Sequence, residues 1–215
     1  MPEGFAPLLA ALARPGRPSS DYDLNPEMPP PENRVLRPAG VLMAFEATPG
    51  GLRLYLTKRA SHLRHHPGQI ALPGGKVDPG EDGSIAAALR EAEEEIGLPR
   101  GNVQVLGALA PHETVTGFLV TPVLARVTAP FTPRPERGEV DEVFTVPFAH
   151  IATGASFRIE QRRWRGRMRA YYVAPYGPYY IWGATARMLR AVERQPPCPA
   201  PTTKLAGSDR CDRIG

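Results

Sequence analysis

Leu72-Pro-Gly-Gly-Lys-Val-Asp-Pro-Gly-Glu-Asp-Gly-Ser-Ile-Ala-Ala-Ala-Leu-Arg-Glu-Ala-Glu-Glu-Glu-Ile-Gly-Leu98 decides the reading of this chain. A Gly-Gly turn leads through an acidic loop into a helix that carries four glutamates within five positions. Ile85, Ala88, Leu89, Ala92 and Ile96 recur at helical spacing, which predicts one apolar stripe facing a core. Glu91, Glu94 and Glu95 stand at i, i+3 and i+4 and share a second face, while Glu93 points away from it. Gly97, just past the last periodic residue, marks the end of the helix.

Like charges at this spacing repel by a few tenths of a kcal/mol, roughly, which a helix tolerates when the face is merely solvated. The company of the glutamates favours a built site instead. A Gly-Gly turn precedes them, and Arg90 stands beside the first. Carboxylates clustered without interleaved lysines suit a hard divalent cation, because Mg²⁺ takes oxygen ligands and keeps several waters.

The run resembles the Nudix box, whose pattern is Gly, five residues, Glu, seven residues, Arg-Glu, an aliphatic, any residue, Glu-Glu, any residue, Gly, an aliphatic. Arg90-Glu91-Ala92-Glu93-Glu94-Glu95-Ile96-Gly97-Leu98 matches its second half at every fixed position. The first half holds one extra residue. Counting forward from Gly75 reaches Glu81, whereas counting back from Arg90 reaches Asp82, so both stand for the glutamate of the loop. A second segment, Leu56-Thr57-Lys58-Arg59-Ala60 followed by Arg64, Gly68 and Leu72-Pro73-Gly74-Gly75, is similar to the additional signature of the coenzyme A pyrophosphatases within the same superfamily. Tyr55 and Leu72 replace its first Leu and its Phe, both apolar exchanges, and the spacing holds. Thr116–Val123 and Ile181-Trp-Gly-Ala-Thr-Ala186 look like the same subgroup, although packing is the plain role of the latter.

The resemblance spans about residues 35 to 192 and implies an α/β fold, the Nudix α/β/α sandwich with a mixed β-sheet. It implies metal-dependent hydrolysis of coenzyme A or an acyl-coenzyme A to 3′,5′-ADP and 4′-phosphopantetheine. Mg²⁺ or Mn²⁺ would be held by Glu91, Glu95 and the carbonyl of Gly75, with Glu94 as a further ligand or a group behind the ligands. Arg90 would orient a carboxylate. Glu139, ahead of Glu142 and Glu113, is the first choice for an acidic residue outside the box acting as ligand or base. Arg59 and Arg64, with Gly74 and Gly75, would meet the substrate phosphates, the two arginines reading the 3′-phosphate. Ion pairing of those arginines with the box carboxylates is the plain alternative. Other nucleotide substrates (ADP-ribose, NADH or a dNTP) and a non-catalytic nucleotide-binding module remain the competing functions.

The remainder of the sequence is consistent with one such domain. A chain of 215 residues with 42% hydrophobic and 22% charged residues can bury a single core. Three divisions follow: an N-terminal arm over 1–34, the hydrolase domain over 35–194 and a tail over 195–215 expected to be disordered. No apolar run reaches a membrane span and no signal peptide is evident, and Cys198 and Cys211 read as unpaired thiols, so a cytoplasmic protein is expected. The net charge of +4 raises the question of nucleic acid. The arginines of 158–169 lack regularly interleaved aromatics, so a solvated hairpin is favoured over a nucleic-acid stripe. His62, His65 and His66 sit among arginines and lack partnering cysteines, which disfavours a metal there. A homodimer is left open.

Phe5, Leu8, Leu9 and Leu12 predict a short amphipathic helix. Ala39–Phe45 and Leu52–Thr57 predict two strands joined around Pro49-Gly50-Gly51. Strands follow at 103–110 and 118–127, the second broken by Pro122 and hence placed at an edge or a bulge. A short strand after Glu139, a hairpin over 157–173 and a helix from Tyr179 to Val192 complete the expectation.

Overall fold

Val41-Leu-Met-Ala-Phe45 is apolar without alternation, the pattern of a strand buried on both faces, and the computed structural model, which describes residues 3–164 and 166–193, places it at the heart of the sheet. In chain order the helices are α1 (Ala6–Ala13), α2 (Gly83–Ile96), α3 (Phe148–Ile151) and α4 (Gly183–Leu189). The strands are β1 (Ser19–Ser20), β2 (Arg37–Thr48), β3 (Gly51–Arg59), β4 (Ile70–Ala71), β5 (Gly74–Lys76), β6 (Val103–Ala108), β7 (His112–Glu113), β8 (Phe118–Val127), β9 (Val140–Pro147), β10 (Arg158–Trp164) and β11 (Arg167–Val173).

The large sheet is mixed. Strand β2 runs parallel to β8, with Arg37 opposite Phe118 and Phe45 opposite Arg126, and antiparallel to β3 through the turn at Pro49-Gly50. Strand β9 extends the sheet beyond β3, β6 and β7 pair with β8, and β5 adds to β2. Successive residues of β2 feed two separate cores. Leu42 and Ala44 join Tyr55, Val123, Ala125 and the α2 residues Ala88, Ala92 and Ile96. Met43 and Phe45 join Leu54, Leu56 and Leu124 under α1, α3 and α4. Helices therefore cover both faces, the layered sandwich expected of the chain. Helix α2 lies so close to β2 that a Cβ on Gly40 would fall 1.8 Å from the carbonyl oxygen of Ser84, so only glycine allows that contact.

Most expected elements are present, and three differ. Strand β8 is not an edge: β2 lies on one side and β6 and β7 on the other. Pro122 is accommodated because it sits between the end of β6 and the start of β7, where its carbonyl still accepts from the Leu109 N–H at 2.9 Å. A register shift near Val105 supplies the irregularity that a proline brings. The last helix starts at Gly183, not at Tyr179, because Tyr179 and Trp182 form isolated bridges to Tyr176 and Val173. Ile85 is 41% exposed although it falls on the apolar stripe. The N-terminal segment does pack, with Phe5, Leu8 and Ala11 buried. Residues 195–215, with Cys198 and Cys211, and the turn residue Arg165 lie outside the described residues. No helix among those described is long and apolar enough to cross a membrane.

Candidate active site

Helix α2 carries its carboxylates out of the core in graded fashion. Glu95 lies seven residues after Ala88 and three after Ala92, within the buried stripe, and is only 5% exposed. The side chain of Glu91 is 15% exposed and that of Glu94 58%. Glu93, on the far side, pairs with Arg100. Gly97 ends the helix in the left-handed region, φ 69°, as its position requires.

The glycine turn is built against these carboxylates. The N–H of Gly74 donates to Glu95 Oε2 at 3.2 Å. A Cβ on Gly75 would lie 2.1 Å from Glu91 Oε1, so the absence of a side chain is what lets this backbone meet the carboxylate. Gly75 is held there by its pairing with Gly40 in β2.

Arg90 organises the outer part of the cluster. Its Nε donates to Glu81 at 3.0 Å, and one terminal nitrogen reaches Glu91 at 3.0 Å and Glu94 at 3.1 Å. The other bonds the Lys76 carbonyl at 3.1 Å. The fork of the guanidinium matches this divergent set of acceptors, which an ammonium would not span. Glu81, and not Asp82, is the loop carboxylate that Arg90 holds. The additional residue is absorbed in the turn where Glu81 N–H bonds the Asp78 carbonyl and Gly83 N–H bonds that of Glu81, leaving Asp82 exposed. The Arg90 guanidinium in turn holds Glu81 below the usual carboxylate range.

Burial dominates the inner carboxylates. It pushes Glu95 up to about 8, against the Gly74 N–H and Arg59, with Glu91 and Glu139 adding repulsion. Burial also raises Glu91, opposed by Arg90 and reinforced by Glu94 and Glu139. Glu139 is brought near by the preceding loop, which laces onto the end of α2 through Arg134 N–H to the Ile96 carbonyl and Glu136 N–H to that of Glu95, both 2.9 Å. The two other acidic candidates are engaged elsewhere: Glu113 accepts both arms of Arg34, and Glu142 accepts the Tyr179 hydroxyl.

Arg59 ends β3 beside this cluster. Its charge acts on both Glu95 and His66, yet its Nε is buried with no hydrogen-bond partner among the described residues. The ion pair with the box carboxylates weighed for it is not formed there. A buried donor without an acceptor is costly, and either a water or an anion would relieve it. Arg64 is exposed in the following loop and makes none of the described contacts to the cluster. Next to Arg59 lies a cavity of about 690 Å³, with Lys58, Gln69, Arg162 and Trp182 among its walls, that the sequence motifs do not announce. The nearest signal for it is the Ile181–Ala186 segment, whose plain role is packing.

The donor set fits a divalent cation of the oxygen-seeking kind. Two mutually repelling, largely buried carboxylates meet at a backbone turn that no side chain could share. Among the described residues no three His, Cys, Asp or Glu side chains form a closed cage. Mg²⁺ does not need one, since it is held by one or two carboxylates and completes its shell with water and substrate phosphate.

Comparison with known proteins identifies the family. The family profile described as the NUDIX domain matches residues 36–166. An uncharacterized Nudix hydrolase NudL of Photorhabdus laumondii is 37% identical over 172 residues, covering 79% of this chain and 91% of that protein. Its namesake from Salmonella paratyphi B is 43% identical over 143 residues, covering 66% of this chain and 74% of the other. Among solved structures, a Nudix hydrolase from M. smegmatis, RenU, aligns with a TM-score of 0.46 at 25% identity over 57% of this chain and 83% of that one. The chain belongs to the Nudix family, as a hydrolase.

Proposed function

We propose that this Nudix hydrolase cleaves the pyrophosphate of coenzyme A or an acyl-coenzyme A, giving 3′,5′-ADP and 4′-phosphopantetheine. The observation that carries the reading is the convergence, at one end of α2, of Glu91, Glu95 and the Gly74-Gly75 turn with the unpartnered buried donor of Arg59. A pyrophosphate needs both halves: carboxylates that recruit cations and a fixed positive group for its oxygens. The coenzyme A assignment draws support from the lead-in signature Leu56–Gly75, which forms the end of β3 and the turn bordering this site.

Glu91, Glu95 and the Gly75 carbonyl would hold Mg²⁺ or Mn²⁺, and Glu94 would stand behind them. A bound cation supplies neutralisation of the pyrophosphate charge and acidification of a water at that position. The protein does the rest. Arg90 fixes the rotamers of Glu91 and Glu94 while Glu81 anchors Arg90 from the far side. Arg59 holds a phosphate oxygen and thereby fixes the phosphorus in line with the incoming water. Glu139, exposed and adjacent in charge to Glu91 and Glu95, accepts the water proton as one P–O bond forms and the bridging P–O bond breaks. Arg64, exposed in the loop after β3, contributes long-range attraction to a phosphate-rich substrate.

The test is product analysis with Mg²⁺ or Mn²⁺, offering coenzyme A, dephospho-coenzyme A and ADP-ribose in parallel, with Glu95→Gln as control. Release of 3′,5′-ADP from coenzyme A, lost in the variant, is expected. Turnover of ADP-ribose alone would reject the coenzyme A reading.

A further inference from the structure

The cavity beside Arg59 has a chemistry that the hydrolytic machinery does not use. Its wall is preformed: Arg59 N–H bonds the Gln69 carbonyl at 3.0 Å, Gly68 N–H bonds the Arg59 carbonyl at 3.1 Å, and His66 is held at φ 56° between them. Tyr179 stacks on Phe144 with centroids 3.6 Å apart and fixes one side by donating to Glu142. On the other side the Arg162 guanidinium lies 4.1 Å over the Trp182 ring. Lys58 faces in from β3, opposite Glu142 in register. Among the described residues neither Lys58 nor Arg162 makes an ion pair, and Glu142 is occupied by a tyrosine hydroxyl. Two cations therefore flank an aromatic surface here, Lys58 across from Glu142 and within electrostatic reach of Asp141, with neither cation held in a direct ion pair among the described residues.

We propose that this cavity takes the phosphorylated nucleoside end of the substrate, with the purine packed on Trp182 and Tyr180 and the ribose phosphomonoester held by Lys58 and Arg162. This rests on the coenzyme A reading, which supplies the 3′-phosphate. The pyrophosphate then runs past Arg59 to Glu91 and Glu95. The opposite orientation fits less well. A pantetheine arm is uncharged and offers two cations only neutral amide and hydroxyl oxygens, whereas a phosphate accepts from both as a charged partner and a purine presents the flat face that an indole and a guanidinium pack against. The volume, about 690 Å³, is in the range of small-ligand sites. The groups that distinguish coenzyme A from its dephospho form are accordingly Lys58 and Arg162, and not Arg64.

The experiment needs neither metal nor turnover. The chain has two tryptophans, so a Trp164→Phe background leaves Trp182 as the sole indole reporter. Adenosine 3′,5′-bisphosphate and AMP are titrated into the full chain in EDTA while its fluorescence is followed. The bisphosphate is expected to change the emission saturably and to bind about tenfold or more tightly than AMP, as loss of a charged hydrogen-bonding partner implies. Lys58→Ala with Arg162→Ala should erase the preference, and Arg162→Lys should retain much of it. Equal binding of the two nucleotides, or an unchanged preference in the double variant, overturns the proposal. If the unmodified chain cleaves coenzyme A while that preference is unchanged, the subsite is wrong and the reaction stands. If the preference is lost as expected but coenzyme A is not cleaved, the subsite stands and the reaction is wrong.

Discussion

Replacing Glu95 by Gln should stabilise the metal-free protein, and more so as the pH rises. The Glu95 carboxyl is 5% exposed, and its burial moves ionisation from an ordinary 4.5 to about 8. The folded state therefore binds this proton more tightly than the unfolded chain does. Its contribution is fully present below pH 4.5 and is lost progressively until the folded group itself ionises near pH 8. At 1.36 kcal/mol per pH unit over that interval, the ceiling is roughly 4–5 kcal/mol, and relaxation of the site with water entry reduces it to ~2–4 kcal/mol. A glutamine has the same shape, keeps an acceptor for the Gly74 N–H and carries no charge. Urea unfolding in EDTA at pH 5, 6.5 and 8 measures the difference directly, and comparison with the unmodified chain cancels every contribution that the two proteins share. Near-coincident curves are expected at pH 5, with the variant unfolding at higher urea by about 1 M or more at pH 8. A variant less stable than the parent by the same amount at every pH would refute the reasoning.

Three further outcomes follow from the same geometry. Mn²⁺ or Mg²⁺ should raise the melting temperature of the parent protein at pH 8 but not that of Glu95→Gln, with proton release on binding below pH 8 detectable by calorimetry in buffers of different ionisation enthalpy. Gly75→Ala should lower turnover about 10- to 100-fold while leaving far-ultraviolet dichroism intact, because its Cβ would stand 2.1 Å from Glu91 Oε1 and displace that carboxylate. Arg90→Ala should destabilise the protein by roughly 1–3 kcal/mol, seen as a fall of about 3–10 °C in melting temperature, by leaving Glu81, Glu91 and Glu94 without their shared cation; Arg90→Lys should recover less than half of that loss.

The box helix was legible because its period and its stop glycine are local properties. Its finer errors have local causes too. Periodicity fixes which way a side chain points but not whether the opposing surface reaches that turn, so Ile85 points along the stripe and remains exposed. The burial of Glu95 is legible on the same wheel, since it shares the heptad position of Ala88, although a carboxylate is rarely placed there. Whether Glu81 or Asp82 meets Arg90 depends on how an acidic loop closes, which the Asp78–Gly83 backbone bonds decide and spacing does not. For Pro122 the sequence allowed an edge or a bulge and could not choose, because edge status is a property of the whole sheet; here the strand is internal, its pairing with β6 shifts register, and the break between β6 and β7 falls opposite the proline. The Tyr179–Trp182 segment carries an apolar run that a helix could use, but stacking on Phe144 and bridging to Val173 and Tyr176 hold it extended. Arg59 and Arg64 looked alike in sequence. Only the fold separates a half-buried arginine with an unpartnered donor from an exposed one.

The most direct test of the account is the ratio of kcat/KM for coenzyme A to that for dephospho-coenzyme A, measured with Mg²⁺ or Mn²⁺ and with both products identified. Cleavage at the pyrophosphate is expected with at least about a tenfold preference for coenzyme A, as for recognition of a phosphomonoester by charged partners. A ratio near one would contradict it, as would a faster reaction with ADP-ribose.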